Sequence, residues 1–231
     1  MPVTLARKST KSVAREQIIA AAEHLFAESG IDAVSLRQIN VAAGQKNSSA
    51  AHYHFGTKET LILSIYQVRM EHVNERRILM LEHIKQAGQQ KNVRTLVEAI
   101  IHPIVAEIDE EKNGCYYIRF MAQAIGHPQL NLVTLSKQEH SGGLAQTLKL
   151  LRKALPDIPD LIFGQRFGLA FEQIIHSLSD REKLRRMPSN TFEIDANLFV
   201  SNLVDCISGA MSVPISESTR KELKRLNKKT D

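Results

Sequence analysis

Long apolar runs are absent from this chain of 231 residues. No stretch approaches the ~18–20 apolar residues of a membrane span, so no membrane partner is expected. Cysteine is scarce: Cys115 and Cys206 lie far apart and show no metal-binding spacing. That spacing offers no zinc site, and it makes a disulfide less expected than free, buried thiols in a reducing cytoplasm. The N-terminus is basic but lacks the apolar segment of a secretory signal. No segment alternates apolar and polar residues between turn signals, so strands are not expected. The local signatures G-x-S-x-G, H-E-x-x-H, the P-loop and G-x-G-x-x-G are missing too. The histidines are scattered, and His52 and His54, two apart, would point to different sides of a helix. Nothing nominates a nucleophile or an acid–base pair, and no metal or cofactor is expected.

What the chain does have is ordinary globular composition, 43% hydrophobic and 24% charged, with a net charge of +5. That balance permits nucleic-acid binding. The charge is uneven. Arg7, Lys8, Lys11 and Arg15 stand in residues 1–15 with no acid among them. Residues 1–14 therefore read as a flexible basic arm that could reach backbone or minor groove. The tail, 214–231, is basic again and reads as solvated and mobile.

The most informative stretch is residues 35–59. Ser35 has N-cap chemistry, and Gln38 three residues on can complete a capping box. Leu36, Ile39 and Ala43 give the helix one apolar face. Gly44 supplies the positive φ that ends it. Asn47 or Ser48 can cap a second helix that starts with small polar residues and closes on His52, Tyr53, His54 and Phe55. Gly56 breaks it, and Thr57 caps a third helix from Lys58. Two short helices around a glycine turn form a helix-turn-helix pattern, whose second helix enters the major groove. Ser48, Ser49 and Ala50 are small enough for close approach to base edges, and Ser hydrogen-bonds several bases. Tyr53 and the histidines offer donors to phosphate. Lys58 in the first turn of its helix opposes the macrodipole, and an outside anion such as phosphate would explain it.

These residues resemble the TetR family of bacterial transcriptional regulators. The resemblance rests on Ile18, Ala22, Leu25 and Phe26 of an opening helix, then Gly30 to Leu36, Ala42-Ala43-Gly44, and Tyr53 to Leu61, in matching order and spacing over about residues 15–65. Two features depart from the pattern: the segment from Gly44 to Phe55 is one residue longer, and His52 stands where tyrosine is frequent. The resemblance implies an all-α protein. A three-helix DNA-binding domain at 15–62 would precede a helical effector-binding and dimerisation domain at 63–213. It implies a ligand-responsive regulator, most often a repressor, that binds a palindromic operator as a homodimer and is not an enzyme. DNA contacts are expected from Ser35, Arg37, Lys46, Asn47, Ser48, Ser49, His52, Tyr53, His54 and Lys58.

The remaining chain is helical in pattern. A long helix from 58 runs about 28 residues, ~40 Å at 1.5 Å per residue, with Leu61, Ile62, Ile65, Val68, His72, Ile78 and Leu79 at helical spacing. Helices follow at 93–110, with a kink at Pro103, at 115–125, and at 129–155 around Gly142-Gly143. The segments 160–179 and 192–211 are apolar over more than one face, which suggests a second copy of the chain as partner. Phe163, Phe167, Phe171, Ile174, Leu178, Phe199, Leu203 and Ile207 are the candidate interface, with Gly164 and Gly168 permitting close approach. If the resemblance extends to the middle helices, His102, Tyr116, Tyr117, Phe120, Met121, Phe167 and Phe171 would line a pocket for a small, largely apolar effector, although each also suits core packing. Arg119 would pair with an anionic ligand or, preferably, a protein carboxylate. The competing readings are an all-α small-molecule-binding protein or enzyme, and a dimeric adaptor, in which the hairpin no longer reads DNA.

Overall fold

The computed structural model describes residues 10–110, 116–127, 142–185 and 195–227. Ten helices lie among them: α1 (Thr10–Ser29), α2 (Leu36–Ala42), α3 (Ala50–Phe55), α4 (Lys58–Gln86), α5 (Val93–Glu110), α6 (Tyr116–Ile125), α7 (Gly143–Ala154), α8 (Asp160–Arg185), α9 (Ala196–Ser212) and α10 (Glu217–Asn227). No strand occurs among the described residues, and no single helix there is long and apolar enough to cross a membrane.

The first three helices pack on one another and on the start of α4. Ile18, Ala22 and Phe26 of α1 are fully buried, together with Ile39 of α2 and Leu61 and Ile65 of α4. The capping box forms as expected: the Gln38 N–H donates to Ser35 Oγ at 3.3 Å and the Ser35 N–H donates to Gln38 Oε1 at 2.8 Å. Gly44 closes α2 at φ +64°, a conformation that costs glycine nothing. Thr57 caps α4 by accepting from the Thr60 N–H at 3.2 Å.

Helix α4 is 29 residues long, about 43 Å, and joins the N-terminal unit to everything after it. Past Ile65 its buried stripe runs through Met70, Val73, Arg77, Leu81 and Ile84. His72 and Leu79, part of the same helical pattern, are exposed. The surprise in that stripe is Arg77, and Pro103 explains it. Proline has no N–H, so the Ala99 carbonyl of α5 loses its helical donor. The Arg77 guanidinium donates to Ala99 O at 3.0 Å and to Ile100 O at 3.3 Å. Beside it, Asn74 Oδ1 accepts from Arg77 and from the Leu144 N–H at the start of α7. Gly143 permits that close approach, since a Cβ would lie 3.0 Å from Asn74 O.

Helix α6 packs against α1 and α8, and α9 packs against α5 and α8. The basic tail departs from expectation. It folds as helix α10, with Ser216 Oγ accepting from the Thr219 N–H at 3.2 Å and Leu223 packed against the core. The expected helices at 129–155 and 192–211 are seen as α7 and α9; residues 128–141 and 191–194 lie outside the described residues, as do Cys115, Lys228 and Lys229. Cys206, expected to be buried, is exposed on α9.

Candidate nucleic-acid interface

Ser35, Arg37, Lys46, Asn47, Ser48, Ser49, His52 and Tyr53 are all exposed, on α2, α3 and the turn between them. His54 is half-buried, its ring between those of Tyr53 and Phe55. The expected contact residues, Lys58 apart, thus share one outward region that is polar and basic. Its register differs from the sequence reading. Asn47, Ser48 and Ser49 precede α3 rather than belonging to it, because the helix begins at Ala50. The Asn47 side chain caps the turn, not the helix: its Oδ1 accepts from the Ser49 N–H at 2.9 Å.

Lys58 also departs from expectation. Its ammonium donates to Ile31 O at 2.9 Å and Val34 O at 3.1 Å, closing the loop between α1 and α2. The charge that opposes the α4 dipole is thus held by backbone carbonyls of the protein. Two of its three N–H donors are spent internally, and one is left for an outside anion.

Behind this surface, α1 supports α3. Lys11 Nζ lies 5.3 Å from the centre of the Tyr53 ring and Arg15 Cζ lies 5.3 Å from that of Phe55. Such contacts contribute about 0.5–1 kcal/mol each at exposed sites. Gln45 Nε2 donates to Gln17 Oε1 at 3.0 Å, tying α1 to the turn. Sequence reasoning missed Asn40, the buried polar residue of α2, 1% exposed. The one available signal was an amide side chain directly after the core residue Ile39.

Ion pairs connect this unit to the rest of the chain. Arg69 of α4 bridges Glu23 of α1 (2.7 Å) and Glu107 of α5 (2.9 Å), and Arg76 reaches Glu107 at 2.8 Å. Both carboxylates are almost fully buried. Burial alone would raise the pKa of Glu107. Hydrogen bonds from Arg69 and Arg76 and the charges of Arg69 and His72 outweigh it, holding the carboxyl below its usual value. On α6, Arg119 donates to Glu28 Oε1 at 2.6 Å and to Ala27 O at 3.0 Å, the protein carboxylate that was preferred over a ligand. His127 Nε2 lies 3.1 Å from Asp32 Oδ1, just beyond α1.

Two family descriptions match the chain: "Bacterial regulatory proteins, tetR family" over residues 18–65, and "Tetracyclin repressor-like, C-terminal domain" over residues 98–210. The chain belongs to the TetR family. This TetR-family protein is therefore a ligand-responsive, DNA-binding transcriptional regulator and not an enzyme. Among solved structures it is similar to a TetR-family transcription regulator from Shewanella sp. PV-4 at 15% identity, over 87% of this chain and 98% of that one, with a TM-score of 0.59. It is also similar to TetR-family regulators from Thermus thermophilus (19% identity, 82% and 96% covered, TM-score 0.47) and Streptomyces coelicolor (20%, 89% and 98%, 0.43). At these identities the first likeness shows the fold alone. Comparison with curated proteins finds no matching relative.

The expected effector residues differ in exposure within the TetR fold. His102 faces solvent. Tyr117, Phe120 and Met121 are fully buried by packing, with Phe120 stacked on Phe26 of α1 at 6.2 Å and Tyr117 beneath Arg69. Tyr116 sits against His24 at 4.2 Å. Phe167 and Phe171, 6.0 Å apart on α8, are half-buried. Two cavities lined wholly by described residues lie elsewhere. One, about 320 Å³, runs between α8 and α10 past Leu161, Gln165 and Leu223; the other, about 230 Å³, lies where α4 meets α5, beside Met80, His83 and Thr95.

The expected pairing residues divide in two. Ile174, Leu178, Leu203 and Ile207 are buried inside the subunit and hold α8 and α9 to its core. Phe163, Phe167, Phe171 and Phe199 are half-buried at the margin. Apolar residues turned outward on or next to these helices are Leu161, Leu169 (69% exposed), Leu184, Leu198 (68%) and Val213, and Gly164 and Gly168 have open space above them.

Proposed function

We propose that this regulator is a repressor that pairs through the outward faces of α8 and α9 and binds a palindromic operator in the cytoplasm. The paired unit sets two α2–α3 hairpins on successive major grooves, ~34–36 Å apart. The observation that carries this reading is the single exposed region formed by Arg37, Lys46, Asn47, Ser48, Ser49, His52 and Tyr53. It is polar and basic, and it stands on a hairpin whose rear is fully packed. The DNA-binding unit comprises α1–α3 with the first turns of α4, close to residues 15–62, followed by an effector and dimerisation domain to about residue 213. Leu169, Leu198, Gly164 and Gly168 support pairing, since they leave apolar side chains and open backbone uncovered on two long helices.

A small, largely apolar effector relieves repression in this reading. The half-buried rings of Phe167 and Phe171 on α8, which packs on α6, support an apolar site. Helix α6 in turn is tied to α1 through Arg119 and Glu28, so a ligand that moves α6 would move the hairpin. Such coupling amounts to a difference in ligand affinity between two arrangements.

The test is a gel shift with the DNA upstream of the coding sequence. Specific binding that weakens steeply with salt is expected, because phosphate contacts release counterions. Absence of binding to any duplex in dilute buffer would favour a small-molecule-binding protein or adaptor instead.

A further inference from the structure

Helix α3 has no cap of its own. It is six residues long, and its N-cap residue, Ser49, makes no side-chain hydrogen bond to the first turn. A helix this short does not hold its own ends in water, and the N–H groups of its first turn need partners from elsewhere. One of those partners comes from α2. Asn40 Oδ1 accepts from the Ala51 N–H at 2.8 Å, while its Nδ2 donates to the Ser48 carbonyl. The backbone of the same residue holds the near end of the turn, since the Gln45 N–H donates to Asn40 O at 3.0 Å. One residue therefore grips the turn at its start, at its last carbonyl and at the helix it leads into. Burial makes the grip stringent: a primary amide at 1% exposure must have both ends satisfied, or the site is strongly disfavoured.

Within that span Lys46 to Ser49 are exposed. Lys46, Asn47, Ser48 and Ser49 project outward, and none makes a side-chain contact with the core that would fix it. Their position relative to α2 is decided by the backbone that Asn40 holds. We propose that Asn40 is a positioning residue for sequence recognition: it touches no DNA, yet it sets the register in which Asn47, Ser48 and Ser49 meet base edges. The proposal rests on the reading that this turn faces the major groove. Phosphate contacts tolerate a loosened turn, because they act over a distance; base-edge hydrogen bonds do not. Loss of the clamp therefore removes discrimination and spares general affinity.

The experiment uses the full chain. A preferred duplex is first selected from a randomised pool, and binding to it and to a scrambled duplex is followed by fluorescence anisotropy. Asn40→Leu keeps the volume and removes both bonds; Asn40→Asp keeps the acceptor for Ala51 and loses the donor to Ser48. The ratio of scrambled to preferred Kd is expected to fall about tenfold or more in Asn40→Leu and by a smaller factor in Asn40→Asp, as for a lost base contact. Affinity for the scrambled duplex and its salt slope stay within about twofold. Amide exchange in the unaltered protein supplies a readout that needs no variant: the Ala51 N–H is expected to exchange as slowly as the bonded amides of α2. An unchanged ratio in a folded variant overturns the proposal, as does fast exchange at Ala51. If neither variant folds, the exchange rate at Ala51 decides. A wild-type chain that selects no duplex at all would instead overturn the underlying reading of the hairpin.

Discussion

The protein turns two unlike faces outward. The face on α2, α3 and their turn is polar and basic, built on elements of seven and six residues. It is backed by charge: Glu23, Arg69, Glu107 and Arg76 join α1, α4 and α5, and Arg119 with Glu28 joins α6 to α1. The outward side of α8 and α9, helices of 26 and 17 residues, carries Leu169, Leu198, Gly164 and Gly168 among polar residues such as Gln165 and Asp205. It is backed by an apolar layer of Ile174, Ile175, Leu178, Val200, Leu203, Val204 and Ile207. The contrast teaches what each face can transmit. Apolar packing has no direction, so it suits a surface that must only stay together. Ion pairs are geometric and respond to charge, so they suit a junction that has to change state.

The largest effect should come from the apolar face. Leu169→Glu combined with Leu198→Glu is expected to leave single subunits in analytical ultracentrifugation and to weaken operator binding ~10²–10⁴-fold, the usual gain from linking two sites. A paired species that survives both changes would remove α8 and α9 from the interface. Next comes the charged junction. Arg69→Met leaves Glu23 and Glu107 buried without their shared partner and should cost about 3–5 kcal/mol in urea unfolding. A third measurement separates the outer face of α9 from its inner one. Ile207→Ala should cost about 2–4 kcal/mol of stability by opening a cavity, with pairing retained at concentrations where the chain stays folded.

Smaller, and confined to the charged side, is a pH effect. The folded carboxyl of Glu107 titrates below its unfolded value. Its contribution is therefore fully present above the usual carboxylate pKa and is lost as pH falls through the lowered one. Acid titration of stability should show this loss, and Glu107→Gln should reduce its slope. The smallest expected effect is at Lys11→Ala, which removes one cation–π contact on Tyr53 and should lower stability by less than about 1 kcal/mol.

Much of the DNA-facing half was legible because its signals are local. A Ser35–Gln38 capping box spans four residues, Gly44 needs only its own φ, and Thr57 caps its own helix. The start of α3 was misread for a related reason. Ser48 and Ser49 have cap chemistry, but Asn40, 11 residues before Ala51, supplies the bond. The pairing helices were legible as elements and not as faces. Their apolar residues surround each helix, so periodicity could not say which side meets the core. Ile174 and Ile207 went in, and Leu169 and Leu198 were left out.

By itself the sequence determined the all-α architecture, the hairpin, the caps around it and the family, since each depends on neighbours within one or two turns of chain. Only the tertiary structure decided the assignments that join distant residues. Lys58 closes on Ile31 and Val34, Arg77 answers the Ala99 carbonyl that Pro103 frees, and Arg69 meets Glu23 across 46 residues. A buried charge or amide takes whichever partner packing brings within reach, and that choice is made by the fold as a whole.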